Sequence, residues 1–271
     1  MRRIFLLFVS SIFGFVFSSH AQITDFSPHI FTGSLGQKLN YQLLKPLNYD
    51  STESYPMVLF LHGDEARGSD NSSQLKWGVY HFAEPKIRKK YPSFIVVPQV
   101  PKGQSWAGPR LDKNSTSYNH PLRSVPTQPM RLTIELLHQL KKKYAIDESR
   151  LYVTGLSMGG FGTFDIIERK PHEFAAAVPI SGGGDASRAF FLKDLPIWIF
   201  HGAKDKIISP KYSQSMVSAI QIAGGSPGFT LYPDKGHRET WIEAYNDPHL
   251  YKWLFSQDRD NRHQQPSSTI K

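Results

Sequence analysis

From residue 55 onward, short runs of β-formers alternate with stretches of helical period, and the runs are nearly continuous in apolar residues. Strands apolar on both faces need cover on both faces, the condition of a parallel sheet held between two helical layers. The strand segments are YPMVLFLHG (55–63), SFIVVPQ (93–99), RLYVTG (150–155), FAAAVPIS (174–181), LPIWIFHG (195–202) and GFTLYP (228–233). Between them Met130, Ile134, Leu137, Leu140 and Tyr144 recur at three- and four-residue steps, and residues 211–223 and 239–256 also read as helical. Residues 24–48 supply antiparallel strands at one edge. The expected fold class is therefore α/β: a mostly parallel central sheet with helices on both faces and an antiparallel N-terminal edge.

The first residues, MRRIFLLFVSSIFGFVFSSHAQ, join a basic start (Arg2, Arg3) to an apolar stretch and a small-x-small site at Ser19-His20-Ala21. That is the pattern of a secretory signal peptide cleaved near Ala21. The apolar run is shorter than the roughly 18 to 20 residues a spanning helix needs, so no stable membrane anchor is expected. The reading divides the chain into a leader (1–21), one catalytic domain (22–256) and a disordered, polar tail (257–271). A secreted or periplasmic location follows from it.

Composition narrows the chemistry. The 271 residues contain no cysteine, which excludes disulfides, thiolate metal sites and a cysteine nucleophile. Lys and Arg exceed Asp and Glu by 32 to 23, but nucleic acid is not an expected partner outside the cytoplasm. The densest basic cluster, Lys141 to Lys143, closes the helical stretch that begins near Met130, where cations suit the negative end of the helix dipole. Hydroxyl, carboxylate and imidazole remain as the reactive groups.

Gly155-Leu156-Ser157-Met158-Gly159 matches G-x-S-x-G. The pattern recurs by chance, and its surroundings decide its meaning: RLYVT is a strand ending at Gly155, and Phe161, Phe164 and Ile167 continue with helical spacing. Strand, sharp turn and helix make an elbow that lifts the Ser157 hydroxyl clear of the sheet. A serine hydroxyl is a poor nucleophile at neutral pH, so a base must take its proton and a carboxylate must orient that base. Asp205 follows the strand LPIWIFHG in a short loop, and His237 follows the last strand in LYPDKGHRETW; with Ser157 they give the chain order Ser, Asp, His. Asp234 is the competing carboxylate. His62 and His201, each before a glycine at a strand end, read as packing or loop-orienting residues.

The tetrahedral intermediate of acyl transfer needs backbone N–H donors for its oxyanion. Met158, beside the nucleophile, is one candidate and Asp64, in LHGDEARGSDN, the other. The stretch 100–128 is too long for an ordinary connection and follows a strand end, where loops of this size act as lids or binding loops.

These residues resemble an α/β-hydrolase, specifically the secreted bacterial esterases described as feruloyl-esterase-like, polyhydroxybutyrate-depolymerase-like or carboxylesterase/phospholipase-like. The resemblance covers residues 35–256 and rests on GLSMGG, LFLHGDEARGSDN, VVPQVPKGQSW, DESRLYVTG, FHGAKDKIISP and GHRETWIEAYNDPHLYKWLFSQ in that set. It implies a catalytic triad of Ser157, Asp205 and His237, an oxyanion hole from Met158 and Asp64, and Trp106 and Trp241 near the substrate. It implies no metal and no organic cofactor. One departure stands out: relatives read Leu-His-Gly-Ala-Gly-Glu-Arg-Gly in the first loop, whereas here Asp64, Glu65 and Ala66 replace the middle three.

The activity expected is hydrolysis of carboxylic esters, small or linked to a polysaccharide. A peptidase resembling the catalytic domain of prolyl oligopeptidases is the alternative, and a non-catalytic carbohydrate-binding protein on the same scaffold is a third. Trp77, Trp106 and Trp241, with Tyr80 and Phe82, are candidates for an aromatic pocket.

Overall fold

The computed structural model describes residues 25–108 and 117–261. The leader and its cleavage site lie outside the described residues, as do 262–271 of the tail.

Eight strands form one sheet: β1 (Ser27–Thr32), β2 (Lys38–Leu44), β3 (Tyr55–Leu61), β4 (Phe94–Pro98), β5 (Ile146–Leu156), β6 (Ala176–Ile180), β7 (Trp198–Gly202) and β8 (Gly228–Tyr232). Their spatial order is β1-β2-β4-β3-β5-β6-β7-β8. β1 pairs antiparallel with β2 and β2 antiparallel with β4, while every pair from β4 to β8 is parallel. The expected mostly parallel sheet with an antiparallel edge is what forms.

Alternation within β3 shows why both faces are apolar. Met57, Leu59 and Leu61 enter one core, and Val58 and Phe60 the other, because successive side chains point to opposite faces of a strand. The first core is closed by α2 (Gln128–Lys143), α3 (Met158–Arg169) and α4 (Lys211–Ile222) through residues such as Leu136, Phe164 and Met216. The second is closed by α1 (Pro85–Lys90), α5 (His237–Asn246) and α6 (Pro248–Phe255) through Ile87, Tyr245 and Leu254. The single helical stretch expected over 239–256 is two helices. Asp247 stands before Pro248 at φ −74°, ψ 114°, since a residue preceding proline is disfavoured in the helical region, and its side chain caps α6 by accepting from the His249 N–H.

Lys141 to Lys143 do close α2, and Lys141 pairs with Glu148 and Glu173. Among the described residues no helix is long and apolar enough to cross a membrane.

Candidate active site

β5 ends at Leu156 and α3 starts at Met158, so Ser157 alone makes the turn. Its backbone sits at φ +56°, ψ −116°, a conformation that costs a residue with a Cβ on the order of 1–3 kcal/mol. The Ser157 N–H donates to the Ile180 carbonyl at 2.9 Å, which ties the elbow to β6. Room for so tight a turn comes from missing side chains. A Cβ on Gly155 would stand 2.4 Å from the Gly159 carbonyl oxygen, and one on Gly159 would stand 1.8 Å from the Leu61 oxygen.

Three side chains separated in the sequence meet here. Ser157 Oγ lies 2.8 Å from His237 Nε2, and His237 Nδ1 lies 2.5 Å from Asp205 Oδ2. A carboxylate oxygen only accepts, so Nδ1–H is the donor, and the bare Nε2 is left to accept from the serine hydroxyl. Asp205 is tightly specified: its Oδ1 accepts the N–H groups of Ile207 and Ile208, each at 2.9 Å. Burial works to raise its pKa, but the hydrogen bonds from His201 and His237 outweigh that and hold the carboxyl well below the usual range. The competing Asp234 is exposed, its carboxylate 4.0 Å from Lys235 Nζ.

His237 is the first residue of α5 rather than part of a free loop. Trp241, one turn on, sets its ring at 83° to the imidazole with centroids 4.9 Å apart. The helix thus supplies both the imidazole and the wall that limits its rotation.

The N–H groups of Asp64 and Met158 donate to no acceptor among the described residues, and both residues line a cavity with Ser157. Met158 opens α3, where the unpaired N–H groups and the helix dipole favour negative charge. The acidic side chain of Asp64 is engaged by Arg67, Nη1 to Oδ1 at 2.6 Å. Its charge is therefore balanced, and its backbone N–H stays available.

The placement of the aromatic residues corrects part of the sequence reading. Trp106 does not line a cavity: its side chain is fully buried, donating Nε1–H to the His62 carbonyl at 3.0 Å. It packs against Gly162 and buttresses the first loop from below, while its neighbours Ser105, Ala107 and Gly108 reach the surface of the cavity. Phe82 is a core residue packed against Phe60, Tyr245 and Tyr251, and the Tyr80 ring lies tilted against His81 with centroids 4.2 Å apart. Trp77 and Trp241 do line a cavity, the smaller of the two that border Ser157 among the described residues.

The larger cavity, about 430 Å³, has Phe161, Tyr118, Tyr212 and Ile208 in its wall. Phe161, expected to continue the helix after the elbow, lies four positions after Ser157 and so shares its face. The smaller cavity, about 220 Å³, is bounded by Trp77, Trp241, His237, Glu65 and Gln74. The long loop contributes Tyr118 and His120, the latter held through its N–H to the Gly184 carbonyl and its ring to the Ala107 carbonyl. Among the described residues no group of three or more His, Asp or Glu side chains is arranged to hold a metal ion.

The model of the Esterase family matches residues 32–265. The chain belongs to the Esterase family. The crystal structure of a thermostable esterase superposes on this chain with a TM-score of 0.80 at 34% identity, covering 88% of this chain and 64% of that one. The bifunctional acetylxylan esterase/xylanase XynS20E of Neocallimastix patriciarum is 30% identical over 83 residues, 31% of this chain and 12% of the relative. Dipeptidyl-peptidase 5 of Porphyromonas gingivalis is 22% identical over 244 residues, 76% of this chain and 33% of the relative. The chain thus spans a third or less of the length of these two curated relatives. Its fold, like that of its esterase neighbours, is the α/β-hydrolase fold.

Proposed function

We propose that this protein hydrolyses carboxylic esters with Ser157 as nucleophile, His237 as general base and acid, and Asp205 as the group that orients and charge-stabilises the imidazole. The observation that carries the reading is the unbroken hydrogen-bond chain from Ser157 Oγ through His237 to Asp205, set on a strained elbow beside two unengaged N–H groups.

In the first step His237 Nε2 takes the hydroxyl proton as Ser157 Oγ bonds to the ester carbonyl carbon. The carbonyl oxygen becomes an oxyanion and receives the N–H groups of Met158 and Asp64. The imidazolium is stabilised by Asp205 through Nδ1–H. Collapse of the intermediate breaks the bond to the alcohol oxygen, which leaves with the proton from Nε2–H. Water then repeats the sequence on the acyl-serine, releasing the acid and restoring the serine hydroxyl.

Substrates of this reading are small esters or esters linked to a polysaccharide, the latter supported by the acetylxylan esterase relative. Export follows if the leader 1–21 is cleaved at Ala21, with the domain running from residue 22 to 256. The test is turnover of p-nitrophenyl, feruloyl, acetyl-xylan and hydroxybutyrate esters by the wild type and Ser157→Ala. Loss of about 10⁶-fold in kcat is expected where the nucleophile is removed, and equal rates for the two proteins on every ester would end the reading. A second reading, a serine peptidase, is favoured by the similarity to dipeptidyl-peptidase 5; cleavage of amides alone in the same assay would promote it.

A further inference from the structure

The two cavities share Ser157, Asp64 and Ile207 in their walls, but His237 lines only the smaller one. This matters for how an ester lies at Ser157. The oxygen of the departing alcohol takes its proton from His237 Nε2, so the alcohol side of the ester must be the side facing the imidazole. The smaller cavity thereby falls to the alcohol, and the larger, aromatic one to the acyl group.

The outer wall of the smaller cavity is a ring of three contacts. Glu65 Oε1 accepts from Arg238 Nη2 at 3.0 Å, and Glu65 Oε2 accepts from Trp77 Nε1–H at 3.2 Å. The Arg238 guanidinium carbon stands 4.9 Å from the centre of the Trp77 ring, a cation–π distance. Arg238 directly follows His237 on α5, and Glu65 directly follows the oxyanion candidate Asp64.

We propose that Glu65, by bridging Trp77 and Arg238, closes the outer wall of the alcohol cavity and so determines which alcohols the enzyme releases. The inference rests on the esterase reading of Ser157. With Glu65 truncated, the indole loses its acceptor and the guanidinium its counter-charge, and both side chains can swing aside to admit a bulkier alcohol. Both partners of the ion pair are half-exposed, so its loss leaves the fold standing.

The experiment uses the full chain and two substrate series: esters of one acid with methanol, butanol, cyclohexanol and 1-naphthylmethanol, and methyl esters of acids of rising size. In Glu65→Ala the ratio of kcat/KM for the bulky alcohols to that for methanol rises roughly tenfold, the scale of a pocket wall gained or lost. Arg238→Ala moves the ratio in the same direction, and the profile over the acids stays parallel to that of the wild type. An alcohol ratio that does not move, or a change confined to the acid series, overturns the proposal. If wild type and Ser157→Ala turn over every ester alike, the esterase reading fails and takes this one with it, a result distinct from an active wild type whose alcohol profile Glu65→Ala leaves untouched.

Discussion

His201 and His237 approach the same oxygen of Asp205: His201 Nε2 lies 3.3 Å from Oδ2 and His237 Nδ1 lies 2.5 Å from it. His201 is fully buried, and the same Nε2 faces the Ile208 carbonyl at 3.1 Å. Both neighbours of that nitrogen are acceptors, so it carries the hydrogen. Its Nδ1 is held by Ser213 Oγ at 2.7 Å, and Ser213 in turn reaches the Gly182 carbonyl. His201 therefore positions the carboxylate that orients the proposed base.

His201→Leu removes that donor without touching substrate. The expected result is a fall in kcat of roughly 10- to 100-fold, the value of one hydrogen bond to a charged group, with KM nearly constant. His201→Gln, which retains a donor, recovers part of the loss. Steady-state kinetics on one ester decides the matter, and a shift in KM alone would argue for a merely structural role.

Asp64 separates a side chain from a backbone donor. Its carboxylate is engaged by Arg67 and supplies no donor to the oxyanion, so Asp64→Ala should retain most of the activity. Asp64→Pro deletes the N–H itself. Proline suits the site otherwise: Asp64 is the first residue of a short 3-10 turn, and Gly63 before it is extended at φ −78°, ψ 177°. A loss of about 100- to 1000-fold in kcat is expected for the proline variant. Equal rates for the two variants would remove Asp64 from the oxyanion hole.

The sheet, its antiparallel edge and the chain positions of Ser157, Asp205 and His237 were legible because they depend on local signals: apolar runs, glycines flanking a serine, and polar loops at strand ends. What was not legible depends on packing across the chain. Trp106 follows a strand in a polar loop, yet the absence of a side chain at Gly162 opens a slot that takes its indole into the core. Phe161 has the spacing of a core residue, and only the direction of α3 turns it toward the cavity. The role of His201 requires knowing that the Asp205 loop folds back over β7, which no short pattern encodes.

The glycines of the elbow bear on stability as well as on catalysis. Gly159→Ala places a methyl group 1.8 Å from the Leu61 carbonyl oxygen and within 2.9 Å of the His62 oxygen. Both are backbone atoms of the segment leading into the first loop, so neither can rotate away. The variant should lose at least about 1–3 kcal/mol of stability and, by displacing β3 from α3, also separate the Asp64 and Met158 donors. Urea unfolding read alongside kcat tests this, and a variant with wild-type values for both would show the contact to be more yielding than drawn.

His62 gives the fold a pH dependence whose sign follows from its contacts. Its Nε2 accepts the Val100 N–H at 3.0 Å and its Nδ1–H donates to the Gly63 carbonyl at 2.7 Å, so the ring is neutral and has no open site for a second proton. Burial, aided by the nearby Arg67 charge and opposed by the Gly63 contact, lowers its pKa to about 4. An unfolded histidine titrates near 6.5. Between those values the unfolded chain takes up a proton that the folded chain refuses, so stability is full above about pH 6.5 and declines as the pH falls toward 4, by on the order of 3 kcal/mol. His62→Gln can keep an acceptor for Val100 and a donor for Gly63 but does not titrate. Denaturant unfolding at pH 7.5, 5.5 and 4.5 should therefore show the wild type losing more stability than the variant, and parallel losses in the two proteins would mean that this imidazole is not the group responsible.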